Sequence, residues 1–251
     1  MLTDDLRYAL DPVAFACEVL NFGTPDPWQI ETLRWTEKRL LLNCHRQSGK
    51  STTAAMIAVH RAIYDPGCLI LLVSPSLRQS SELFKKVAAT LSMVQSRPKL
   101  VEDNRLSFTL STGSRVVSLP SSEATIRGFS GVNLIIEDEA SRVEDDLYRA
   151  VRPMLAISSG SLILMSTPFG KRGHFFEEWT AGGPDWKRVE VQATQCPRIS
   201  KKFLDEERRS LGEVWFRQEY LCSFEDTVNQ VFGYDLVMSA ITNEVKPLFG
   251  G

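Results

Sequence analysis

The chain has 251 residues, 43% of them hydrophobic and 24% charged, which is enough apolar material for the core of one large domain and excludes a disordered chain. A formal net charge of −2 with a pI near 6.0 excludes the bulk basicity of a nucleic-acid-coating protein, while leaving room for a local basic strip. Five cysteines without a Cys-x-x-Cys pair argue against a disulfide framework or a zinc site and read as reduced thiols of a cytoplasmic protein; no apolar run nears the ~18 residues of a membrane span, and Met1–Leu10 is no secretory signal.

Residues 3–21 carry apolar positions at three- and four-residue spacing and read as short helices broken at Pro12. A Pro25-Asp26-Pro27 turn then sets Trp28 and Gln29 at a helix start. A glutamine there offers a donor and an acceptor to an adenine edge, and the tryptophan a face for the base; the tryptophan serves equally well as an anchor of this helix to the core. From Arg39 to Thr53, RLLLNCHRQSGKSTT, an apolar run leads into a tight loop and a helix-forming segment, Thr52–Ala62. The loop fits the last three positions of the phosphate-binding pattern G-x-x-x-x-G-K-[ST], with Gly49 for backbone freedom, Lys50 for the β- and γ-phosphates and Ser51 as a hydroxyl for Mg²⁺. Its first position holds Cys44 where the pattern has glycine.

Cys68–Val73 is a continuous apolar run, as a strand buried on both faces requires, and a helix follows from Ser76. Phe108–Leu110 and Arg115–Leu119, split by a glycine-containing turn, predict a hairpin. A loop of small residues then carries Arg127 beside Gly128. Val132–Glu139 predicts a strand ending in the adjacent carboxylates Asp138 and Glu139. One such acid can hold a metal ion while the other polarises water; two acids after a strand can also simply cap a helix. A helix is expected from about Glu144 to Leu155, then a buried strand from Ser161 that ends in Ser166, Thr167 and Pro168. In open α/β sheets ligands sit at that edge, so these hydroxyls are candidates to sense a phosphate, or else form a polar turn. Past Gly173 a strand (Trp186–Val191) and two charged helical segments (Lys201–Leu211 and Gly212–Cys222) read as a small lid.

Together, Trp28-Gln29, the HRQSGKS loop with its internal arginine, LIIEDEAS and MSTP resemble the N-terminal ATPase domain of the large terminase subunits of tailed bacteriophages. The FRQEYLCSF segment, Phe216–Phe224, resembles the end of that region, so the resemblance spans nearly the whole chain. It implies a RecA-like α/β P-loop NTPase with a mostly parallel sheet flanked by helices. It divides the chain into an ATPase core with an adenine-binding region over 1–180 and a lid or linker subdomain over 181–251. It implies ATP and Mg²⁺ as cofactors, with Gln29 and Trp28 at the adenine, and Arg46, Gln47, Ser48, Gly49, Lys50, Ser51 and Thr52 at the phosphates. Asp138 and Ser51 would hold the metal, Glu139 would orient water, and Ser166-Thr167-Pro168 would couple hydrolysis to motion. Arg46 would be a switch or a charge stabiliser in cis, and Arg127 a finger inserted into the next subunit of a ring, with Arg142 as its rival. The implied partners are double-stranded DNA, the portal protein of the procapsid, the small terminase subunit and further copies of the chain in a ring, a pentamer by expectation, in the host cytoplasm and away from membranes. The chain stops at Phe249-Gly250-Gly251, where the family continues into a nuclease, so no DNA cleavage is expected. A two-lobed helicase would place its arginines on a second RecA-like lobe, for which 251 residues with one phosphate loop leave no room, and a nucleotide-gated binding module with weak hydrolysis would not need the carboxylate pair.

Overall fold

Hydrophobic patterning alone dictates the centre of the molecule. Leu40–Leu42, Ile70–Val73, Leu134–Ile136 and Leu162–Met165 are wholly buried, which happens to consecutive residues only where a strand has cover on both faces. The computed structural model describes residues 2–120, 128–226 and 234–241. Among them are β1 (Arg39–Cys44), β2 (Leu69–Ser74), β3 (Leu100–Asn104), β4 (Ser107–Leu110), β5 (Arg115–Pro120), β6 (Leu134–Asp138), β7 (Ser161–Ser166) and β8 (Trp186–Val191). They form one sheet in the order β3-β4-β5-β2-β6-β7-β1-β8. The strands from β5 to β8 in that order pair in parallel, and β3-β4-β5 is an antiparallel meander at one edge. Strand β7 lies between β1 and β6, so the ends of all three emerge side by side at the carboxyl edge of the sheet.

Two layers of helix cover the sheet. One face takes α1 (Leu2–Leu10), α2 (Pro12–Ala14) with a π-helical turn after it, α3 (Pro27–Leu33), α4 (Lys50–Tyr64) and α5 (Leu77–Met93). Phe15, Leu33, Met56, Val59, Leu83 and Val87 meet Leu40, Leu72 and Ile136 there. The other face takes α6 (Asp145–Val151) and α7 (Gly173–Ala181), whose Leu147, Val151 and Phe175 meet Leu41, Leu71 and Ile135. Two further helices, α8 (Lys201–Leu211) and α9 (Glu213–Leu221), close a small cluster of Leu204 and Phe216 over Ala193, and α10 (Tyr234–Ala240) follows. Ser76 caps α5, its hydroxyl accepting from the Gln79 amide at 3.3 Å, as a capped helix requires.

Three elements differ from the expectation. Strand β3 is exposed along its whole length and carries Glu102 and Asp103, so it lacks the apolar signal of an inner strand; it survives as an edge. The helix expected over 144–155 is α6 with a 3₁₀ turn, Arg152–Leu155, because Pro153 cannot continue an α-helix. Strand β8, expected to belong to a lid, pairs in parallel with β1 in the main sheet. A division near residue 180 would therefore cut the sheet. Lys187, Arg188 and Glu190 obscured this, since polar alternation on an edge strand reads as a surface segment.

Candidate active site

The phosphate-type loop runs from Cys44, the last residue of β1, to Lys50, the first of α4. Gln47 (φ 61°) and Gly49 (φ 97°) both turn left-handed. Gly49 is required: a Cβ there would sit in strained backbone and 3.5 Å from the Gln29 amide nitrogen. The turns aim the N-terminus of the 15-residue α4, with its unpaired N–H groups and positive dipole end, into the space above the sheet. Cys44 is fully buried in the strand, and burial first of all pushes its thiol up to about 12, so it is a packing residue and no nucleophile.

Four side chains converge across the sheet edge. The Lys50 ammonium lies 3.2 Å from Oε1 of Glu139. The Ser51 hydroxyl reaches Oδ2 of Asp138 at 3.5 Å, and Oδ1 of Asp138 accepts the Glu139 amide at 3.0 Å. Burial raises the Asp138 carboxyl to about 6 against the pull of Lys50, with the Glu139 charge adding to the rise. Burial works against the Lys50 charge too, but Glu139 and Asp138 outweigh it and hold its pKa above the ordinary lysine value. Glu139 itself is left-handed (φ 54°, ψ 40°), a conformation that costs a non-glycine residue about 1–3 kcal/mol and persists where its surroundings over-determine it. Ser51 and Asp138 are hard oxygen donors on adjacent elements, the small protein share that Mg²⁺ takes when waters and phosphates complete its shell, so they fit that ion.

The end of β7 ties the two halves together. Thr167 donates to the Cys44 carbonyl at 2.9 Å, and Ser141, in the turn after Glu139, donates to the Thr167 carbonyl at 2.8 Å and meets the Ser166 hydroxyl at 2.7 Å. Ser166, Thr167 and Pro168 are all buried, so they bridge the loop and the carboxylate turn. Gln29 is buried and its amide is held at both ends: Oε1 accepts the Asp26 N–H at 2.9 Å, and Nε2 donates one of its two hydrogens to Thr53 at 3.1 Å. Trp28 is half-buried on the wall of a cavity of about 520 Å³ that His45, Ser48, Val191 and Arg198 also line. Of the other loop residues, Ser48 is buried, Gln47 is exposed and Thr52 bonds back to the Gly49 carbonyl at 3.0 Å. Arg46 is engaged by α9: its Nε lies 3.0 Å from Glu219, and its amide donates to the Glu219 carbonyl at 3.3 Å. Arg127 lies outside the described residues. Arg142 and Arg172 stand over the Phe169 ring at 3.9 and 5.3 Å.

Sequence reading missed Ser141 and Glu219. Ser141 had a signal, its place two residues after the carboxylate pair; Glu219 had none, because only the tertiary fold brings α9 to the loop. No helix among the described residues is long and apolar enough to cross a membrane.

Against known proteins, a family profile described as terminase large subunit, T4likevirus-type, N-terminal, matches residues 42–237. The large terminase subunit of Escherichia phage T5 is 27% identical over an alignment of 246 positions that covers 91% of this chain and 54% of that protein. The chain thus spans about half the length of the curated relatives it matches. The large terminase ATPase domain of Thermus phage P74-26 superposes with a TM-score of 0.73 at 22% identity, over 83% of this chain and 97% of that one. A large terminase of a thermophilic bacteriophage, solved in complex with ATP-gamma-S, matches with a TM-score of 0.62 at 12% identity over 79% of this chain and 52% of that one. Both likenesses are in fold, the RecA-like ATPase sheet. With its phosphate loop, carboxylate pair and bridging Ser166-Thr167 on that sheet, and with the profile covering most of its length, this chain belongs to the large terminase subunits, matching their N-terminal part.

Proposed function

We propose that the chain is a Mg²⁺-dependent ATPase whose turnover drives double-stranded viral DNA into a procapsid. The observation that carries this reading is the meeting of Lys50, Ser51, Asp138 and Glu139 across β1, β7 and β6. The α4 N-terminus and Lys50 receive the β- and γ-phosphates; phosphate oxygens compete with Glu139 for the ammonium and release that carboxylate toward water. Glu139 then orients a water in line with the γ-phosphorus and takes its proton, while the β–γ bridging P–O bond breaks toward ADP. Bound at Ser51 and Asp138, Mg²⁺ would neutralise charge on the phosphate oxygens. The cavity beside Trp28 and His45 takes the base, and Gln29 holds the loop through Thr53, whose hydroxyl donates to the Gly49 carbonyl, or turns its amide to the adenine edge.

Arg127 is the proposed finger toward a neighbouring copy in a ring, and Arg46, parked on Glu219, the switch within the loop. Arg142 and Arg172 are exposed cations beside the β7 loop and suit a DNA phosphate track. The portal protein and small terminase subunit are the remaining proposed partners. Phosphate release per subunit, measured against protein concentration, tests the reading. Wild type should hydrolyse ATP faster as concentration rises, Lys50→Ala should be inactive, and Arg127→Ala mixed with Glu139→Gln should recover some turnover. A wild type no faster than Lys50→Ala sinks the ATPase assignment; a flat rate per subunit with no recovery on mixing sinks only the ring.

A further inference from the structure

Strand β6 delivers Asp138 toward α4 and, by the two-residue alternation of a strand, Glu137 to the opposite face, among Ile135, Leu147, Tyr148 and Phe175. Glu137 is fully buried there, and His174, at the start of α7, is 3% exposed. The imidazole bridges two acids: Nε2 meets Oε1 of Glu137 at 2.6 Å and Nδ1 meets Oδ1 of Asp145 at 3.1 Å. Carboxylates accept at both nitrogens, so the ring carries both protons. The His174 amide donates to the same Asp145 oxygen at 2.7 Å, and Tyr148 stacks on the ring at 4.3 Å and 9°. Charged groups in a dry interior cost several kcal/mol each, and apolar residues of similar volume often serve stability as well or better. Stability alone therefore gives no reason for this trio.

Its placement does. Glu137 and Asp145 bracket the segment from Asp138 to Glu144, which holds the metal-type carboxylate, the strained Glu139 and the bridging Ser141. One imidazolium grips both ends of that segment. We infer that His174 is a positioning residue for hydrolysis: by clamping Glu137 and Asp145 it holds the turn that aims Glu139. This rests on the ATPase reading above. The same clamp joins the start of α7 to the carboxylate turn, while Ser141 joins the end of β7 to it, so the loop between Ser166 and His174 is fixed to that turn at both ends.

The test separates rate from binding. In the double variant Glu137→Leu/His174→Leu no charge is left unpaired in the core, and Asp145 is 40% exposed. Its kcat should fall about tenfold or more, since misplacement of a reacting group by about 1 Å can cost ~10² in rate. Affinity for a fluorescent ATP analogue should stay within about twofold of wild type, because Lys50 and Ser51 are untouched. Glu137→Gln, which keeps the acceptor for His174, should retain most of the rate. A folded double variant with wild-type kcat overturns the inference and leaves the ATPase reading standing. If the double variant does not fold, Asp145→Ala, which removes the acceptor for His174, decides: a several-fold lower kcat at unchanged affinity supports the clamp, and wild-type kcat overturns it. A wild type no faster than Lys50→Ala overturns the ATPase reading and this inference with it.

Discussion

The two faces of the sheet solve opposite problems at the end of the same strand. Under α4 and α5, Leu134 and Ile136 run apolar up to Asp138, where ionised groups gather at a partly open rim: Glu139 is 25% exposed and paired to Lys50. Under α6 and α7, Ile135 is followed by Glu137, whose charge is met by His174 inside the layer, with Tyr148 stacked on that ring and donating to Glu178 at 2.6 Å. The first face places charge where phosphate and water reach it. The second puts Glu137 and His174 inside the layer, with Asp145 at its rim, so the use of this charge lies in holding the chain. A reactive face and a bracing face, back to back on one strand, let Glu139 keep a left-handed backbone that neither face alone would fix.

The largest effects should fall on the reactive face. Glu139→Gln should lower kcat by ~10²–10⁴ while binding ATP at least as tightly as wild type, because Lys50 loses its competing carboxylate. Steady-state kinetics with equilibrium binding checks this; weaker ATP binding in that variant would overturn the competition for Lys50. On the bracing face the sign reverses from catalysis to stability. His174→Ala leaves Glu137 buried without its partner and should cost about 3–5 kcal/mol, whereas Glu137→Leu/His174→Leu should lose much less, since both charges go together. Urea unfolding of the two variants at pH 7 measures it, and a double variant as unstable as the single one would break the contrast between the faces.

A smaller effect should show the reactive face acting against its own stability. Burial first, and the Glu139 charge after the opposing pull of Lys50, raise the Asp138 carboxyl to about 6. The folded chain therefore binds a proton that the unfolded chain releases, and stability falls as pH rises from about 4 through 6. At pH 7 the native state bears that cost in full. Asp138→Asn should then stabilise the protein, by on the order of 2 kcal/mol after allowing for the lost attraction to Lys50, while abolishing hydrolysis. Melting curves at pH 7 without nucleotide check it, and a lower melting temperature for the variant would mean that the Lys50 attraction dominates.

How much of this was legible in the sequence differs between the faces in the same way. Lys50, Ser51, Asp138 and Glu139 could be read because local patterns place them at strand ends, and a parallel sheet carries strand ends to one edge. The inner strands β1, β2, β6 and β7 announced themselves by unbroken apolar runs. Strand β8 did not, because an edge position allows Lys187 and Glu190, and β3 carried no apolar run at all. The bracing trio is contributed by β6, α6 and α7, and no local pattern joins 137 to 174. Its one trace is a glutamate inside a run that otherwise reads as buried strand, LIIEDE, where Glu137 passes for a third member of the acidic cluster. Arg46 was legible as a loop arginine, but its engagement by Glu219 was not, since that depends on where α9 docks.

The smallest effect is the pH dependence of the bracing face, and it must be separated from other titrations. Burial works against the His174 charge, but Glu137 and then Asp145 outweigh it and raise its pKa above the usual histidine value. Tyr148 faces the ring without adding charge, and Glu178 and Arg152 lie one contact further out. A raised histidine gives stability that is fully present below about pH 6.5 and is lost as pH rises through the folded value. The chain has three histidines, and burial lowers the other two, His45 and His60, so their contributions change below pH 6.5 and are constant above it. Buried thiols add a loss in the same direction at alkaline pH, with Cys68 raised to about 11 and Cys44 to about 12, mainly by burial. Those terms, like that of Asp138, are common to wild type and Glu137→Leu/His174→Leu. The difference between the two unfolding free energies should therefore shrink from pH 6.5 upward and level off, isolating the clamp. A difference that stays constant from pH 6 to 9 would mean that folding leaves the proton affinity of His174 unchanged, and would overturn the charged clamp.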